Sequence, residues 1–519
     1  MFDIRRRMRA GVFTTERVLW GTLLAAYLIS RLYAATHIPI FIDEAIHVDW
    51  ARATAESYPT PDPGFDGKWL SVKLFALASS QSLPFNDLIA ARLLVVALGL
   101  TTALACYLIG RDLFSKRAGV LAVSLYVVLP FSLIYSSLAM TDGVQLAFSS
   151  WAILLAVRLA RTQHWGYVLT LPLALAAAIL AKFSGLVLVG LPLAAVLLLT
   201  PRTRWAGGLL RAIPALLVPL GLFALFYSYD MLQIVKLKTT ANPAPLGEHI
   251  SANLVSAGGW LWGLLTPSVA VSAVVAVGWL LARERSRAGL FVVTLLALAV
   301  LPYVVISQTW YPRYILAAVI PVALALGRLL EGVCELARQR WGGPRPLAAA
   351  VPSLLIIGVL GWPILRSGAV LFTLPDADIP EAERYQFVTG WPSGYGVREL
   401  ASFLQEQGAA TPGGITVART SWADHPLQSL NIYLTPSPTL SLYTVSDENP
   451  SSVKYLGWLN TKRRTLLVLS TDHGVPQRLR EAGTPLLTCS KPIWSYTRPG
   501  GMTGFVVHEL DCGGAVAAR

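Results

Sequence analysis

Long apolar runs separated by short polar segments dominate the first two thirds of the chain. Runs of about 20 predominantly apolar residues are long enough to cross a membrane as helices. They lie near residues 18–36, 88–110, 118–137, 143–160, 210–229, 259–281, 288–306, 313–331 and 347–365. A further run, 166–199, is too long for one helix and is interrupted at Lys182-Phe183-Ser184-Gly185, so we divide it into two spans. The pattern predicts a polytopic α-helical membrane protein with about eleven transmembrane helices.

The composition of the chain supports this prediction. Hydrophobic residues make up 54% of it and charged residues only 14%, whereas soluble proteins have roughly 25% charged residues. The net charge of +13 does not indicate a nucleic-acid partner, because the excess is confined to the apolar part. Residues 1–366 hold 30 Lys and Arg against 16 Asp and Glu, while residues 367–519 hold 12 against 13. Cytoplasmic loops of membrane proteins carry such an excess, so we expect no nucleic-acid partner.

The positions of the basic residues predict the orientation. Arg5, Arg6, Arg7 and Arg9 precede the first apolar run, which lacks a small-residue cleavage pattern and is therefore interpreted as a retained span. If the 166–199 run is divided, these arginines share one face with the later basic loops. Those loops lie near residues 111–117, 158–161, 202–211, 283–287 and 338–345. The positive-inside rule makes this face cytoplasmic. We therefore expect a multi-pass protein of the plasma (inner) membrane with a cytoplasmic N-terminus and an extracytoplasmic C-terminal region.

Two domains are expected. Residues 1–366 form the transmembrane catalytic domain, with an external loop at 37–87 that contains interfacial helices, and residues 367–519 form an extracytoplasmic α/β domain. The second region contains one segment with helical spacing and three strand-like segments. They are Val397 to Leu404, Gly414 to Ala418, Thr465 to Ser470 and Gly504 to Leu510. Cys489 and Cys512 also lie there and are disulfide candidates if the region is outside the cytoplasm; two free thiols are the alternative.

Asp43 and Glu44 are adjacent carboxylates a few residues beyond the first apolar run. Charges at this depth are costly unless they have a function. The alternative is that they cap an amphipathic helix over residues 45–55 and interact with its dipole. His47 follows Asp43 by four residues and Glu44 by three, on one helical face. Asp43 and His47 therefore offer ligands for a divalent cation, but no second histidine is near, and we expect no metal or other cofactor to be required.

Cations on the predicted external face are exceptions to the positive-inside rule and are therefore informative. They include Lys68, Lys182, Lys236, Lys238 and Arg313. Asp142 lies on the same face at the start of a span, where helix capping is the alternative interpretation. Arg313 follows Tyr311 in an aromatic segment, where headgroup anchoring is the alternative. Acids and bases gathered at one membrane surface are expected of a site that handles a phosphate-bearing lipid.

Together these residues resemble the GT-C membrane glycosyltransferases, in particular protein O-mannosyltransferases and lipid A aminoarabinose transferases. The resemblance rests on an Asp-Glu pair and a Lys in the first external loop, an Asp at the external end of a span, a Lys at a broken helix pair, and an Arg-Tyr that opens a late span. These residues are Asp43-Glu44, Lys68, Asp142, Lys182 and Arg313-Tyr314. The resemblance covers the membrane half. The sequence departs from these relatives around His47 and in its C-terminal domain, which is unlike the β-trefoil insertion of the eukaryotic mannosyltransferases.

The resemblance implies an inverting transfer of a sugar from a polyprenyl-phosphate donor to a hydroxyl of a lipid, glycan or protein acceptor. Asp43 would be the general base, and Glu44 and Asp142 would orient the base or the acceptor. Donor-phosphate binding would fall to Lys68, Lys182, Arg313, Lys236 and Lys238. His47 and Tyr311 would lie near the acceptor. A secondary transporter or a flippase for a lipid-linked substrate is the alternative, because intramembrane charges and broken helices also mark transport sites.

Overall fold

A computed structural model describes most of the chain. The described residues are 2–56, 67–79, 86–227, 246–308, 310–341, 346–420, 425–434, 437–445, 450–470 and 489–511. Within them, eight helices are long and apolar enough to cross a membrane, and further apolar helices are shorter. The eight are Glu16–His37, Asp87–Leu113, Thr141–Thr162, Arg202–Phe226, Pro267–Glu284, Arg287–Ile306, Pro312–Arg340 and Ala350–Phe372. The prediction of a polytopic α-helical membrane protein is confirmed.

The α-helices of the described residues follow one another along the chain. In the first half they are α1 (Phe2–His37), α2 (Ile42–Glu56), α3 (Trp69–Ser79), α4 (Asp87–Leu113), α5 (Lys116–Val128), α6 (Pro130–Tyr135), α7 (Thr141–Thr162), α8 (Trp165–Ala181), α9 (Leu191–Leu199) and α10 (Trp205–Tyr227). In the second half they are α11 (Leu246–Leu265), α12 (Pro267–Trp279), α13 (Arg287–Ile306), α14 (Val319–Trp341), α15 (Pro346–Phe372), α16 (Glu381–Arg384), α17 (Val397–Ala410), α18 (His425–Tyr433) and α19 (Pro450–Lys462).

Two apolar runs that the sequence predicts as single spans are broken, and those two predictions are wrong. The run 118–137 is interrupted at Leu129, which is extended, before α6 begins at Pro130. The run 259–281 is interrupted at Thr266, which has φ 75° and precedes Pro267. Proline has no N–H to donate to the preceding turn and disfavours helix in the residue before it. Hydropathy alone does not register such breaks, because the residues on both sides remain apolar.

The predicted interruption at Lys182 is present. Helix α8 ends at Ala181, Lys182 is extended, and the chain continues as a 3₁₀ helix over Phe183–Leu188 before α9. Gly185 permits this geometry, since a Cβ atom there would lie 2.7 Å from the carbonyl oxygen of Ala178. The break therefore holds a lysine side chain at a point where the backbone leaves the helix.

The C-terminal region contains a five-stranded sheet. Its strands are β1 (Ile415–Thr420), β2 (Leu440–Val445), β3 (Arg464–Ser470), β4 (Ser490–Thr497) and β5 (Thr503–Leu510), in the order β2-β1-β3-β5-β4. Strands β2, β1 and β3 are parallel, and β5 and β4 complete the sheet as an antiparallel hairpin. The predicted α/β fold is confirmed, as are the predicted helix and the three predicted strands, which correspond to α17, β1, β3 and β5.

The chain divides into two compact units. The membrane unit comprises Met1–His37, Ser57–Phe75 and Ala91–Pro380, and the α/β unit comprises Ile38–Glu56, Ala76–Ala90 and Glu381–Arg519. Helix α2, which carries Asp43 and Glu44, is therefore part of the α/β unit, whereas loop 37–87 is predicted from the sequence to belong to the membrane domain. The difference comes from long-range hydrogen bonds, because α2 is bonded to residues that lie 350 or more positions later, such as Pro392 and Asn431.

Candidate active site

A buried ion pair lies inside the membrane unit. The Nζ atom of Lys182 is 2.6 Å from Oδ1 of Asp142, and both side chains are buried. Asp142 is in the first turn of α7, but the N-cap residue is Met140, whose side chain makes no capping hydrogen bond. The Asp142 carboxylate instead accepts a hydrogen bond from Lys182. Pairing with Lys182 therefore accounts for this carboxylate better than helix capping does.

Lys68 is brought to the same region by backbone contacts at the helix break. The N–H of Phe183 donates to the carbonyl of Gly67 at 2.9 Å, and the hydroxyl of Ser71 donates to the carbonyl of Ala181 at 2.8 Å. These bonds satisfy backbone groups around the interruption of α8, which would otherwise be orphaned. Lys68 is half-buried, and its charge acts on Lys182.

Arg313 is the third cation of the cluster. It is buried in the 3₁₀ helix Pro312–Ala318, and its guanidinium lies 4.5 Å from the ring centre of Tyr311 and 5.8 Å from that of Tyr314. The Lys182 ammonium lies 4.5 Å from the Tyr314 ring centre. Aromatic rings attract cations through their quadrupoles, so Tyr314 contacts two of the cations. Tyr311, predicted to lie near the acceptor, is in contact with Arg313.

The segment before Arg313 is held by a buried asparagine on α11. Trp310 donates its indole N–H to Oδ1 of Asn253 at 2.9 Å. The Asn253 amide donates to the carbonyls of Val304 and Ser307, at 3.0 and 2.8 Å. These carbonyls are at the C-terminal end of α13, where helix geometry leaves them without intrahelical donors. Asn253 therefore fixes the end of α13 and, through Trp310, the chain that leads into Arg313.

Charges of both signs act on Lys182. They are the carboxylate of Asp142 and the cations Arg313 and Lys68. Lys182 therefore shares its surroundings with two other cations and one carboxylate. Cations gathered among apolar helices attract an anion more strongly than they would in water, so an anion that enters this cluster is stabilised by it.

A narrow pocket opens beside the cluster. Its volume is about 20 Å³, room for roughly one water molecule. Its walls contain both polar groups and apolar side chains, from α7, α13 and the Pro312–Ala318 segment. The polar lining residues are Asp142, Gln145, Ser149, Tyr303, Arg313 and Tyr314.

Asp43 and Glu44 lie in the α/β unit and have different surroundings. The Glu44 carboxylate accepts the N–H of Phe41 at 3.0 Å and is fully buried. A carboxylate that reaches back three residues to the start of its helix is half of a capping box. The capping interpretation therefore holds for Glu44. Asp43, next to it, is half-buried, so it is the more accessible of the two carboxylates.

The remaining predicted residues have separate outcomes. His47 is buried on α2, and its ring lies 6.0 Å from that of Trp50. Lys236 and Lys238 lie outside the described residues. In the part of the chain that the structure describes, no group of three or more His, Cys, Asp or Glu residues is arranged to hold a metal ion. An ion on Asp43 and His47 would therefore need ligands from another source.

The cysteines differ in their bonding. Cys489 takes part in a disulfide bond, and Cys106 and Cys334 are free thiols. Cys512 lies outside the described residues. The N–H of Asp511 donates to the carbonyl of Cys489 at 2.8 Å. The pairing of Cys489 with Cys512 stays a prediction.

Comparisons with known proteins indicate the fold. Residues 72–229 match the model of a family described as dolichyl-phosphate-mannose-protein mannosyltransferase. No curated protein sequence matches the chain significantly. The structure is similar to that of ArnT from Cupriavidus metallidurans bound to undecaprenyl phosphate, with a TM-score of 0.58 and 14% identity over 95% of this chain and 98% of ArnT. The chain has the GT-C glycosyltransferase fold.

A second GT-C structure extends the comparison. The Archaeoglobus fulgidus oligosaccharyltransferase in complex with zinc and sulfate has a TM-score of 0.50 and 13% identity, over 93% of this chain and 72% of that protein. Both structures are similar to this chain over more than nine tenths of its length. The family match also covers Asp142 and Lys182, two residues of the buried cluster.

Sequence reasoning missed Arg31 in the GT-C membrane unit. This arginine lies inside α1 and is fully buried, with its guanidinium 4.7 Å from the ring centre of Tyr27. It donates to the carbonyls of Val127 and Tyr126, at 2.6 and 3.4 Å. These carbonyls lie just before the helix break at Pro130, whose missing N–H leaves the Tyr126 carbonyl without its helical donor. A charge inside an apolar run, the criterion that selected Lys182, would have found it.

Proposed function

We propose that this protein is an inverting glycosyltransferase that moves a sugar from a polyprenyl-phosphate donor to an acceptor hydroxyl on the extracytoplasmic face of the plasma (inner) membrane. The observation that carries the proposal is the gathering of Lys182, Arg313 and Lys68 beside Asp142 in a GT-C membrane unit. The orientation rests on the positive-inside distribution of arginines in the sequence. The ArnT structure, which has this fold, contains undecaprenyl phosphate.

The cation cluster suits a lipid phosphate for two reasons. A phosphate bound there would be attracted by the three cations, and the polyprenyl chain would remain among the apolar helices. Arg313 supplies a planar fork of N–H groups that matches phosphate oxygens, while Lys182 and Lys68 supply point charges. Asp142 would hold the Lys182 ammonium in place.

The same cations favour the chemical step. The bond between the anomeric carbon and the phosphate oxygen breaks, and the phosphate leaves with additional negative charge. Cations placed at a leaving group stabilise the transition state more than the ground state. Phosphate is a good leaving group in this environment, so the reaction needs no protonated carboxylic acid of the kind that a glycoside hydrolase uses.

Asp43 is assigned the role of general base. It would accept the proton of the acceptor hydroxyl as that oxygen attacks the anomeric carbon. A single displacement inverts the configuration of this carbon. Among the two adjacent carboxylates, Glu44 is engaged in capping α2, which leaves Asp43 as the better candidate. We assign Glu44 to orienting the first turn of the helix.

The activity is tested with the purified full chain in liposomes that contain polyprenyl-phosphate sugars. Wild type should release polyprenyl phosphate, and Asp43→Asn should lower the rate by about 100-fold or more, the usual contribution of a general base. Asp376→Asn, at an exposed position, is the matched control and should retain the wild-type rate. Absence of release with every donor, or full activity of Asp43→Asn, would refute the proposal.

Two further measurements address the stereochemistry of the transfer and the side of the membrane on which the α/β unit lies. The anomeric configuration of the product, read by NMR, should be opposite to that of the donor, and retention would exclude a single displacement.

Glu406→Cys, at an exposed position on α17, should react in intact cells with a thiol reagent that does not cross membranes. Reaction only after the membrane is opened would place the α/β unit on the cytoplasmic side.

A further inference from the structure

Helix α2 begins at a close backbone pairing within the α/β unit. The N–H of Ile42 donates to the carbonyl of Pro392 at 3.1 Å, and Phe41 and Ser393 form an isolated antiparallel bridge. Gly394 permits this approach, because a Cβ atom there would lie 1.9 Å from the carbonyl oxygen of Ile40. The first turn of α2, and with it Asp43, is therefore attached to the chain around residue 392.

The carbonyl of Pro392 receives a second hydrogen bond from a buried histidine. Nε2 of His425 lies 2.7 Å from this oxygen, and Nδ1 lies 2.7 Å from the hydroxyl oxygen of Ser429. A carbonyl only accepts, so Nε2 carries the proton. Burial and the nearby charge of Arg498 lower the pKa of His425 from 6.5 to about 3. The ring is therefore neutral, with Nδ1 accepting from Ser429 and both nitrogens engaged.

A second set of bonds joins α2 to the helix that His425 begins. The Asn431 amide on α18 donates to Oδ1 of Asp49 at 3.0 Å. The carbonyl of Asn431 accepts a hydrogen bond from Arg52, which also pairs with Asp87. The second half of α2 is thus bonded directly to α18, and the first turn of α2 is connected to α18 through Pro392 and His425. Two separated attachments restrict both the position and the rotation of a helix.

We propose that His425 is a positioning residue for Asp43. It holds the Pro392 carbonyl in the place where that oxygen receives the N–H of Ile42, one residue before Asp43, and thereby orients the first turn of α2. The inference rests on the proposed function, since it concerns the residue assigned as general base. His425 itself would act through the backbone and would not touch the substrate.

Amide hydrogen exchange of the full-length protein tests the attachment without any substrate. His425→Leu removes the donor to Pro392, whereas His425→Gln can keep one, because its amide nitrogen reaches about as far as Nε2. Exchange at Ile42 should increase about tenfold or more in His425→Leu, as expected for local opening of a buried hydrogen bond, and should return toward wild type in His425→Gln. Exchange over α17 should not change.

Kinetics test the consequence for the reaction. If Asp43 is displaced, kcat should fall about 10- to 100-fold in His425→Leu, while KM for the donor stays close to wild type, and His425→Gln should recover most of the rate. His508→Leu is the matched control. It removes another histidine–serine contact of the same unit, between Nδ1 of His508 and Oγ of Ser490 at 3.0 Å, and should change neither kcat nor exchange at Ile42.

The outcomes separate this inference from the proposed function. Unchanged exchange at Ile42 in His425→Leu overturns the positioning role, as does a uniform increase over the whole α/β unit, which would indicate a general structural role. If His425→Leu does not fold, Ser429→Ala is the alternative variant. It removes only the hydrogen bond to Nδ1 of His425, which is a milder change, and should give the same local increase in exchange at Ile42. If wild type transfers no sugar, the proposed function fails, while the exchange data still decide whether His425 holds α2.

Discussion

The ammonium of Lys182 lies 2.6 Å from a carboxylate oxygen of Asp142, across 40 residues of sequence and between two buried side chains. Each residue alone is costly in an apolar helical unit. Together they form a pair whose charge is balanced, and Arg313 and Lys68 then add positive charge around Lys182. This arrangement makes the two partners unequal, because a lysine left alone among cations is less favourable than an aspartate left there.

Loss of the Asp142 carboxylate should therefore destabilise the protein more than loss of the Lys182 ammonium. We expect Asp142→Asn to destabilise the protein by about 3–5 kcal/mol, the usual cost of leaving a buried charge without its partner. Lys182→Gln should cost less, because Arg313, which lines the same pocket as Asp142, remains near the carboxylate. Unfolding midpoints in detergent measure both, and the double variant should be more stable than Asp142→Asn. Equal, small losses would contradict this, and Asp378→Asn, which removes an exposed carboxylate paired with Arg366, is the control.

Arg313→Lys should impair the use of the donor while keeping the charge. Lysine lacks the fork that binds two phosphate oxygens, and a charge-assisted hydrogen bond contributes about 1.5–3 kcal/mol. We expect kcat/KM for the polyprenyl-phosphate sugar to fall roughly 10- to 100-fold. Arg340→Lys, at an exposed position of α14, should have no effect. Wild-type kinetics in Arg313→Lys would argue against phosphate binding by this residue.

Gly185→Ala should disturb the break that carries Lys182. The added methyl group would lie 2.7 Å from the carbonyl oxygen of Ala178, so the backbone has to shift. Overpacking of this kind costs about 1–3 kcal/mol, and we expect both thermal stability and transfer rate to fall. Gly190→Ala is the matched control, since nothing lies within 4 Å of its added Cβ. Equal effects of the two substitutions would show that steric contact at Gly185 is not the cause.

Arg31→Met should leave a backbone carbonyl unsatisfied at the break between α5 and α6. The Val127 carbonyl loses a hydrogen bond of 2.6 Å, whereas the Tyr126 carbonyl keeps the hydroxyl of Ser132 as a donor. An unsatisfied buried acceptor costs about 1–3 kcal/mol, so we expect the free energy of unfolding to fall by about this amount. Arg31→Lys keeps N–H donors and should be more stable than Arg31→Met when unfolding midpoints are measured in detergent. Equal losses in the two variants would mean that Arg31 stabilises the region in another way.

His425 should make the α/β unit less stable as the pH falls. Its pKa is about 3 in the folded protein and 6.5 ordinarily, so between these values the unfolded chain binds a proton that the folded chain does not. Stability therefore decreases from about pH 6.5 downward, by up to about 1.4 kcal/mol per pH unit. Hydrogen exchange in β3 at pH 7 and pH 5 measures the change. His425→Gln should show a weaker pH dependence, and an unchanged one would assign the effect to other groups.

The sequence predicted the elements better than their interruptions. Apolar length located the spans around α1, α4, α7 and α13, because a run of that length has few other stable forms in a membrane. It also located the break at Lys182, where a charge interrupts the run. It missed the breaks at Leu129 and Thr266, because there the interruption depends on a proline and the residue before it, and both sides remain apolar.

For the candidate site, the sequence identified residue types and the structure identified partners. Asp142, Lys182 and Arg313 stood out as charges at the ends of apolar runs. The capping role of Glu44 was one of two interpretations open at that stage, and the bond to the Phe41 N–H shows that role. His425 and Asn253 carried no such signal, because a single histidine or asparagine in a mixed segment is common, and their importance comes only from the backbone groups they hold.

By itself the sequence determined that the chain crosses a membrane many times and ends in an α/β region, because both follow from local patterns of apolar and polar residues. Only the tertiary structure decided which charges meet and which unit carries Asp43. Lys182 pairs with Asp142 and α2 joins the α/β unit through contacts between residues far apart in the chain. Such contacts depend on how helices and turns pack against one another, and a local pattern does not encode that arrangement.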